Sequence, residues 1–339
     1  AKLSDYGISV GTLPSGPLGK ISDVPGVTVG HCTVDTQTQK TGVTVVMPCA
    51  DDMFAQKLPA AACVLNGFGK TAGLVQVDEL GTLETPIALT NTLNVGLVHD
   101  ALVTVMAERC AADHVAMHSI NPVVGECNDS QLNAIVDRPI HEAHVREAIA
   151  GACRDFDEGD VGAGAGTVCH GLKGGIGSAS RVVELDGKNY TIGSLVLSNH
   201  AMFDDLIVGG TPIQQLLEAH IPPHEDKGSI ITVLATDIPL SERQLRRLCH
   251  RALVGLSRTG SACGNGSGEI VLAFTTANRM PHYSDKALLP MEMLHDDAIN
   301  PLFRAVAECV EESVLSSLLH AETVTGYHGR TVQCLSDLL

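Results

Sequence analysis

Short apolar runs of strand type and longer amphipathic runs of helix type alternate along this chain from one end to the other. That interleaving confines it to packed layers of sheet and helix, a mixed α/β fold. Strands are predicted at 43–47, 62–65, 86–89, 123–125, 180–185, 190–197, 229–235 and 269–275, each bounded by Gly, Pro, Asn or Asp. The Asp186-Gly187 pair between two of them signals a hairpin. Helices are predicted at 95–111, 141–153, 241–256 and 301–319. In the third, Leu245, Leu248, Cys249, Ala252, Leu253 and Leu256 form one apolar face, and Ser241 with Gln244 reads as a capping box at its start. Phe303, Val306, Val310, Val314 and Leu318 repeat the stripe in the fourth. An exposed connection is expected over 219–228, where two prolines and a charge cluster suit neither helix nor strand.

Composition narrows the partners. With 44% hydrophobic residues among 339, the chain can build a large core, and 34 Gly with no Trp describe one made of small and branched aliphatics with many tight turns. Against 22 Lys and Arg stand 39 Asp and Glu, and a net charge of -17 repels nucleic acid and anionic membranes alike. No apolar run reaches the roughly 18 residues of a membrane span, and the first ten residues lack the pattern of a secretory signal, so a cytoplasmic protein is expected. Eleven cysteines without a paired Cys-x-x-Cys read as reduced thiols. Fifteen histidines lie scattered, with no His-Glu-x-x-His, so neither a metal nor another cofactor is expected.

Three places carry chemistry. Gly228-Ser229 leads directly into the apolar run 230–235, which puts a serine on the first residue of a buried strand. A Gly-rich loop ends in Ser267-Gly268-Glu269 before the run 270–274, so a serine and a carboxylate two residues apart can point into one space. Asn199 follows the strand 190–197. Read singly, each has a plainer meaning: Gly-Ser closes a turn, Ser-Gly-Glu is a solvated loop, and an Asn after a strand begins a turn.

Together with longer stretches they carry a resemblance. The run Gly-Lys-Ile-Ser-Asp-Val-Pro-Gly-Val-Thr-Val-Gly-His at 19–31, Thr-Gly-Val-Thr-Val-Val at 41–46, Asn66-Gly67-Phe68-Gly69, Glu79-Leu80-Gly81-Thr82-Leu83, Pro86 to Thr92, 162–167 and the block 228–278 follow one another in order. In these motifs the chain resembles the DmpA-like aminopeptidases, comprising L-aminopeptidase/D-Ala-esterase/amidase and the β-aminopeptidases. The resemblance implies a single α/β/β/α domain over 1–339, a four-layer sandwich of the N-terminal-nucleophile-hydrolase kind, self-cleaved at Gly228-Ser229 into residues 1–228 and 229–339. It further implies a homotetramer that removes the N-terminal residue from small peptides, amides or esters bearing a free amine. Ser229 matches the nucleophile, Ser267 and Glu269 the second serine and the glutamate, and Asn199 an oxyanion-hole asparagine. Glu126 stands where the family presents an acidic group, and is the candidate anchor for the substrate's ammonium.

The chemistry of such residues can be stated on its own terms. A serine hydroxyl beside a glycine carbonyl can attack it, since glycine offers no Cβ to block approach and tolerates strain. Hydrolysis of the resulting ester leaves Ser229 with an α-amine of reference pKa about 7.7–8.0, able to act as general base to its own hydroxyl. Two positions depart from the family pattern: Asn128 replaces an aromatic residue of the pocket, and Lys70 stands where a glutamate is common. Three other readings compete. One is a self-cleaving acyltransferase of the ornithine-acetyltransferase kind, which uses threonine. Another is a catalytically silent member of the fold. The third is a dinucleotide-binding oxidoreductase suggested by the glycines at 162–166 and 174–177, although neither stretch completes Gly-x-Gly-x-x-Gly.

Overall fold

The computed structural model describes residues 3–217, 221 and 227–339. Most of the connection expected at 219–228, namely 219, 220 and 222–226, lies outside the described residues. The longer strands are β1 (Thr28–Asp35), β2 (Lys40–Met47), β3 (Gln56–Gly67), β4 (Ile87–Asn91), β5 (Val123–Cys127), β6 (Gly175–Leu185), β7 (Lys188–Asn199), β8 (Ser229–Thr236) and β9 (Gly268–Thr275). The longer helices are α1 (Leu74–Leu80), α2 (Val95–Ala112), α3 (Glu142–Ala150), α4 (Glu242–Arg258) and α5 (Asn300–His320).

Two sheets stack. One has the order β1-β2-β4-β5, with β4 and β5 parallel. The other runs β3-β9-β8-β7-β6, with β8 and β9 parallel and its remaining neighbours antiparallel. Strand alternation sorts their side chains into two cores. Ile231, Val233 and Ala235 of β8 and Ile270, Leu272 and Phe274 of β9 join Val43, Val45, Leu89 and Val123 between the sheets. Ile230, Leu234, Val271 and Ala273 face the other way, onto Leu245, Leu248 and Leu256 of α4 and Val306, Val310 and Val314 of α5. Helices α2 and α3 cover the first sheet. The result is the four-layer α/β/β/α sandwich. Because β8 is covered on both faces, every residue in it is buried, which explains its nearly unbroken apolar sequence.

Local signals hold where they are purely local. Asp186 and Gly187 both adopt left-handed backbone (φ 51° and 74°), the geometry of a tight two-residue hairpin joining β6 to β7. Ser241 Oγ accepts from the Gln244 N–H at 3.2 Å while Gln244 Oε1 accepts from the Ser241 N–H at 3.1 Å, so the capping box forms as read. Of the expected α4 face only Leu253 fails, being 42% exposed.

Other boundaries shift for identifiable reasons. Strand β1 carries no clear apolar signal because α3 lies against it: a Cβ on Gly30 would come within 1.9 Å of the Ala148 carbonyl oxygen. The predicted helix 141–153 ends at Ala150, since Cys153 turns back to exchange two 3.0 Å backbone hydrogen bonds with Val29. The glycines at 162–166 open no helix. Gly162–Gly164 is a buried 3-10 turn leading to the short strand Val168–Cys169, and Gly175 starts β6, so the dinucleotide reading fails on geometry.

A buried ion pair ties β6 to α5. Arg181 donates to Glu308 at 2.9 Å and to Glu312 at 2.6 Å, and Glu308 also accepts from the N–H groups of Thr12 and Leu13 at 3.1 Å. Removing the guanidinium strands the buried Glu308 carboxylate. Arg181→Met should therefore lower the unfolding free energy by about 3–5 kcal/mol; an unchanged denaturant midpoint would show that this pair does not hold the outer layer.

Candidate active site

Because β8 and β9 run parallel, both begin at one edge of the sheet, and their antiparallel neighbours β7 and β3 end there. The register makes a row across four strands: Asn199 opposite Ser229, Ser229 opposite Gly268, and Gly268 opposite Gly67. Four connections meet at this edge, carrying Phe68, Asn199, Gly228 and Ser267.

Ser229 is 5% exposed, with its carbonyl oxygen 3.4 Å from the Cys127 thiol, which ends β5 in the opposing sheet. The preceding carbonyl, that of Gly228, accepts from the Gly268 N–H at 3.2 Å. A Cβ on Gly228 would sit 1.8 Å from the Asn199 carbonyl oxygen, so only glycine fits. The expected backbone strain is absent. Gly228 does not lie in the left-handed region, and crowding from β7 supplies the reason for a glycine instead.

Asn199 accepts from the Val168 N–H through Oδ1 at 2.9 Å. That bond fixes the amide and leaves its Nδ2 donor for the adjoining space. Ser267 and Glu269 are buried rather than solvated, and the Ser267 hydroxyl donates to Glu269 Oε1. The loop before them is held by Asn66, whose Nδ2 donates to the carbonyls of Gly264 at 2.9 Å and of Ser267. The structure thus brings Asn199, Gly228, Ser229, Ser267 and Glu269 to one edge.

A cavity of about 330 Å³ opens there, lined by Phe68, Asn128, Asn199, His200, Lys227 and Gly228 among others. Ser229, Ser267 and Glu269 lie buried behind that lining, and a larger cleft, about 640 Å³, between the N-terminal segment and α5 is lined by neither Asn199 nor Gly228. Asn128 is exposed in the cavity wall, and its Oδ1 accepts from the Ser130 N–H at 3.0 Å. Glu126 is placed differently. It is buried, not solvated, and it does not line the cavity: Oε1 accepts from the Lys70 N–H at 3.0 Å and Oε2 from the Thr92 hydroxyl. The Lys70 ammonium sits 4.8 Å from the Phe68 ring centroid, covering the ring that faces the cavity.

Behind the site lie two buried titratable groups. Burial pushes the Asp129 carboxyl up to about 6, against the hydrogen bonds from Thr41, Asn133 and Asn91 that pull it down. Burial pulls the Lys173 ammonium down to about 7, while its three protons go to the carbonyls of Gly164 at 2.8 Å, Thr167 at 3.0 Å and Gly174 at 2.7 Å. Lys173 thereby fixes the loop that supplies the Val168 N–H to Asn199. Asn66, Cys127, Val168 and Lys173 were not singled out by sequence as site residues; only Asn66 stands in a quoted motif, and the rest act through backbone contacts that leave no side-chain pattern.

A family model for Peptidase family S58 matches residues 19–332. The chain is 35% identical over 353 residues to the beta-peptidyl aminopeptidase BapA of Sphingosinicella xenopeptidilytica, covering 97% of this chain and 87% of the relative. Its structure is similar to that of a Burkholderia sp. beta-aminopeptidase, with a TM-score of 0.92 and 39% identity over 99% of this chain and 96% of that one. It is equally similar, at TM-score 0.92 and 36% identity, to L-aminopeptidase D-Ala-esterase/amidase from Ochrobactrum anthropi, a variant of the Ntn hydrolase fold. That match covers 98% of this chain and 95% of the other.

Asp129 gives a pH signature. Its folded-state pKa of about 6 lies above the unfolded value of about 4, so the fold favours the protonated form. The stability it contributes is full below pH ~4 and is lost as pH rises through about 6, a loss of up to roughly 3 kcal/mol. Asp129→Asn should flatten the stability profile over that window relative to wild type. Parallel profiles in urea titrations of the two proteins would refute the assignment.

Proposed function

The chain belongs to peptidase family S58, and from that footing we propose that it cuts its own Gly228–Ser229 bond and then works as an N-terminal-serine aminopeptidase on small peptides, amides or esters. The observation that carries this reading is the row in which Ser229 starts β8 between Asn199 and Gly268.

Maturation follows from the groups around Gly228. The Ser229 hydroxyl attacks the Gly228 carbonyl carbon, the developing oxyanion is held by the Gly268 N–H already bonded to that oxygen, and the C–N bond breaks as the hydroxyl's proton passes to the departing Ser229 nitrogen, leaving an ester. Water then hydrolyses the ester. The products are a carboxylate on Gly228 and a free α-amine on Ser229, dividing the single domain into residues 1–228 and 229–339. With a reference pKa of about 7.7–8.0, the amine takes the hydroxyl's proton as Oγ attacks a substrate carbonyl, and passes it to the leaving amine. A second water removes the acyl group from Oγ. The bonded pair Ser267–Glu269 orients the amine, and Asn199 Nδ2 donates to the oxyanion, a role whose loss costs about 10²–10³ in rate.

Glu126 remains the proposed ammonium anchor. Each of its oxygens holds one donor, which leaves acceptor capacity on both, and it stands next to Cys127, whose thiol touches the Ser229 carbonyl. Asn128 replaces an aromatic wall with a short exposed amide, which widens the acyl pocket. A silent protein and a threonine-type acyltransferase are both disfavoured by the intact serine, amide and carboxylate. A homo-oligomer is supported by the exposed apolar run Leu288, Leu289, Met291 and Met293. A cytoplasmic setting belongs to the same proposal, one in which the cysteines, most of them buried, stay thiols. No helix among the described residues is long and apolar enough to cross a membrane.

Denaturing mass spectrometry tests maturation: wild type should give two fragments, the smaller starting at Ser229, and Ser229→Ala should give one uncut, inactive chain. An uncut wild type that hydrolyses aminoacyl anilides, or an active Ser229→Ala, would reassign the nucleophile.

The anchor makes a second forecast. N-acetylated aminoacyl p-nitroanilides should be inert where the free amines are cleaved, because Glu126 can form an ion pair with an ammonium but not with a neutral acetamide. Equal rates on both would make the protein a general amidase.

A further inference from the structure

Behind Asn199 three side chains converge that the proposed reaction does not use. Cys169, His170 and His200 are all essentially buried, and one ligating atom from each lies within 4.8 Å of the others. Cys169 Sγ stands 3.6 Å from His200 Nδ1, and the two imidazole centroids are 5.6 Å apart. Local structure makes the convergence. Val168–Cys169 pairs with Leu172–Lys173 around a tight turn at His170 and Gly171, both in left-handed backbone (φ 51° and 71°). The turn is pinned to the end of β7, where the His170 N–H donates to the His200 carbonyl at 2.7 Å.

The ring chemistry favours a ligand set over ordinary core packing. With His170 Nδ1 2.8 Å from the Met202 carbonyl, the proton sits on Nδ1 and the lone pair on Nε2, the arrangement a metal-bound histidine takes from its supporting carbonyl. His200 Nε2 is buried with no hydrogen-bond partner among the described residues, so that ring's tautomer is set through Nδ1, which faces Cys169 Sγ. With zinc bonds of roughly 2.3 Å to sulfur and 2.0–2.1 Å to nitrogen, tetrahedral ligand atoms lie roughly 3.3–3.6 Å apart. The 3.6 Å Cys169–His200 spacing meets that already.

We propose that Cys169, His170 and His200 form a binding site for a borderline-soft divalent cation of the zinc class, three protein ligands with a fourth position for water or a further donor. Binding releases the Cys169 thiol proton to solvent and leaves a thiolate on the metal. Its role is bracing. Cys169 follows Val168, whose N–H orients the Asn199 amide, and His200 follows Asn199 itself, so the cation would clamp both ends of that hydrogen bond. The site is distinct from Ser229 and stands whether or not the chain cleaves itself.

The test uses the full chain, stripped with chelator under reductant and titrated with CoCl2 and separately with ZnCl2. Wild type should show a thiolate-to-cobalt charge-transfer band saturating at one equivalent, and zinc should raise its thermal midpoint. Cys169→Ser should lose the band. His170→Asn, which keeps a residue suited to left-handed backbone, should weaken cobalt binding by at least about 10–100-fold, the loss brought even by removing a supporting partner. Cys127→Ser, altering another buried thiol at the same edge, should keep the band. No band in wild type, an undiminished band in Cys169→Ser or in His170→Asn, or weak binding common to all four proteins would overturn the site.

Discussion

Parallel pairing between β8 and β9 is the constraint on which the rest of the site depends. Two strands that start side by side bring two loops to one edge, and two antiparallel flanking strands then have to deliver their ends to it. Ser229, Asn199, Gly268 and Gly67 stand in one row for that reason alone. A register slip of one residue would turn Ser229 to the helix side of the sheet and bring Ile230 opposite Asn199. The apolar cores on both faces make such a slip prohibitive, since it would exchange the residues that fill the space between the sheets for those packed on α4 and α5. Packing far from the edge thus holds the serine in place.

What the edge contributes chemically comes largely from the backbone. The N–H of Gly268 meets the Gly228 carbonyl and the N–H of Val168 meets Asn199, while Lys173 spends all three of its ammonium protons on main-chain carbonyls of the loop that presents Val168. Such donors are rigid, and rigidity matters where charge develops, because a donor already aimed at its target needs no reorganisation. An ammonium held in the interior has a price in solvation, visible in Lys173 as a pKa drawn down to about 7.

Much of this was legible in the sequence, for reasons that can be named. Apolar alternation located every long strand except β1, where Gly30 makes room for the Ala148 carbonyl and erases the pattern. Ser229, Ser267, Glu269 and Asn199 could be read because each sits at a strand end beside a glycine or an apolar run, where local sequence and three-dimensional position coincide. Glu126 shows the limit. Its neighbours Gly125 and Cys127 both face the opposing sheet, so alternation sends Glu126 the other way, toward Lys70 and Thr92 rather than into the cavity wall. Cys169, His170 and His200 leave no sequence signal for a different reason: two are adjacent and the third comes from a separate strand end, a spacing that matches no ligand motif and is closed only by the turn after Val168.

The strand order also governs how the molecule answers a break in its backbone. Strands β8 and β9 lie inside their sheet, flanked by β3 on one side and β7 on the other, and α4 and α5, which follow β8, form the outer layer over strands that precede it. A chain opened just before Ser229 is therefore interleaved rather than divided into lobes. Neither piece could leave without exposing the middle of a sheet and both cores at once, so dilution would not part them, and the severed molecule would melt as one cooperative body. Such a cut would free a chain end at the centre of the structure without loosening the structure around it.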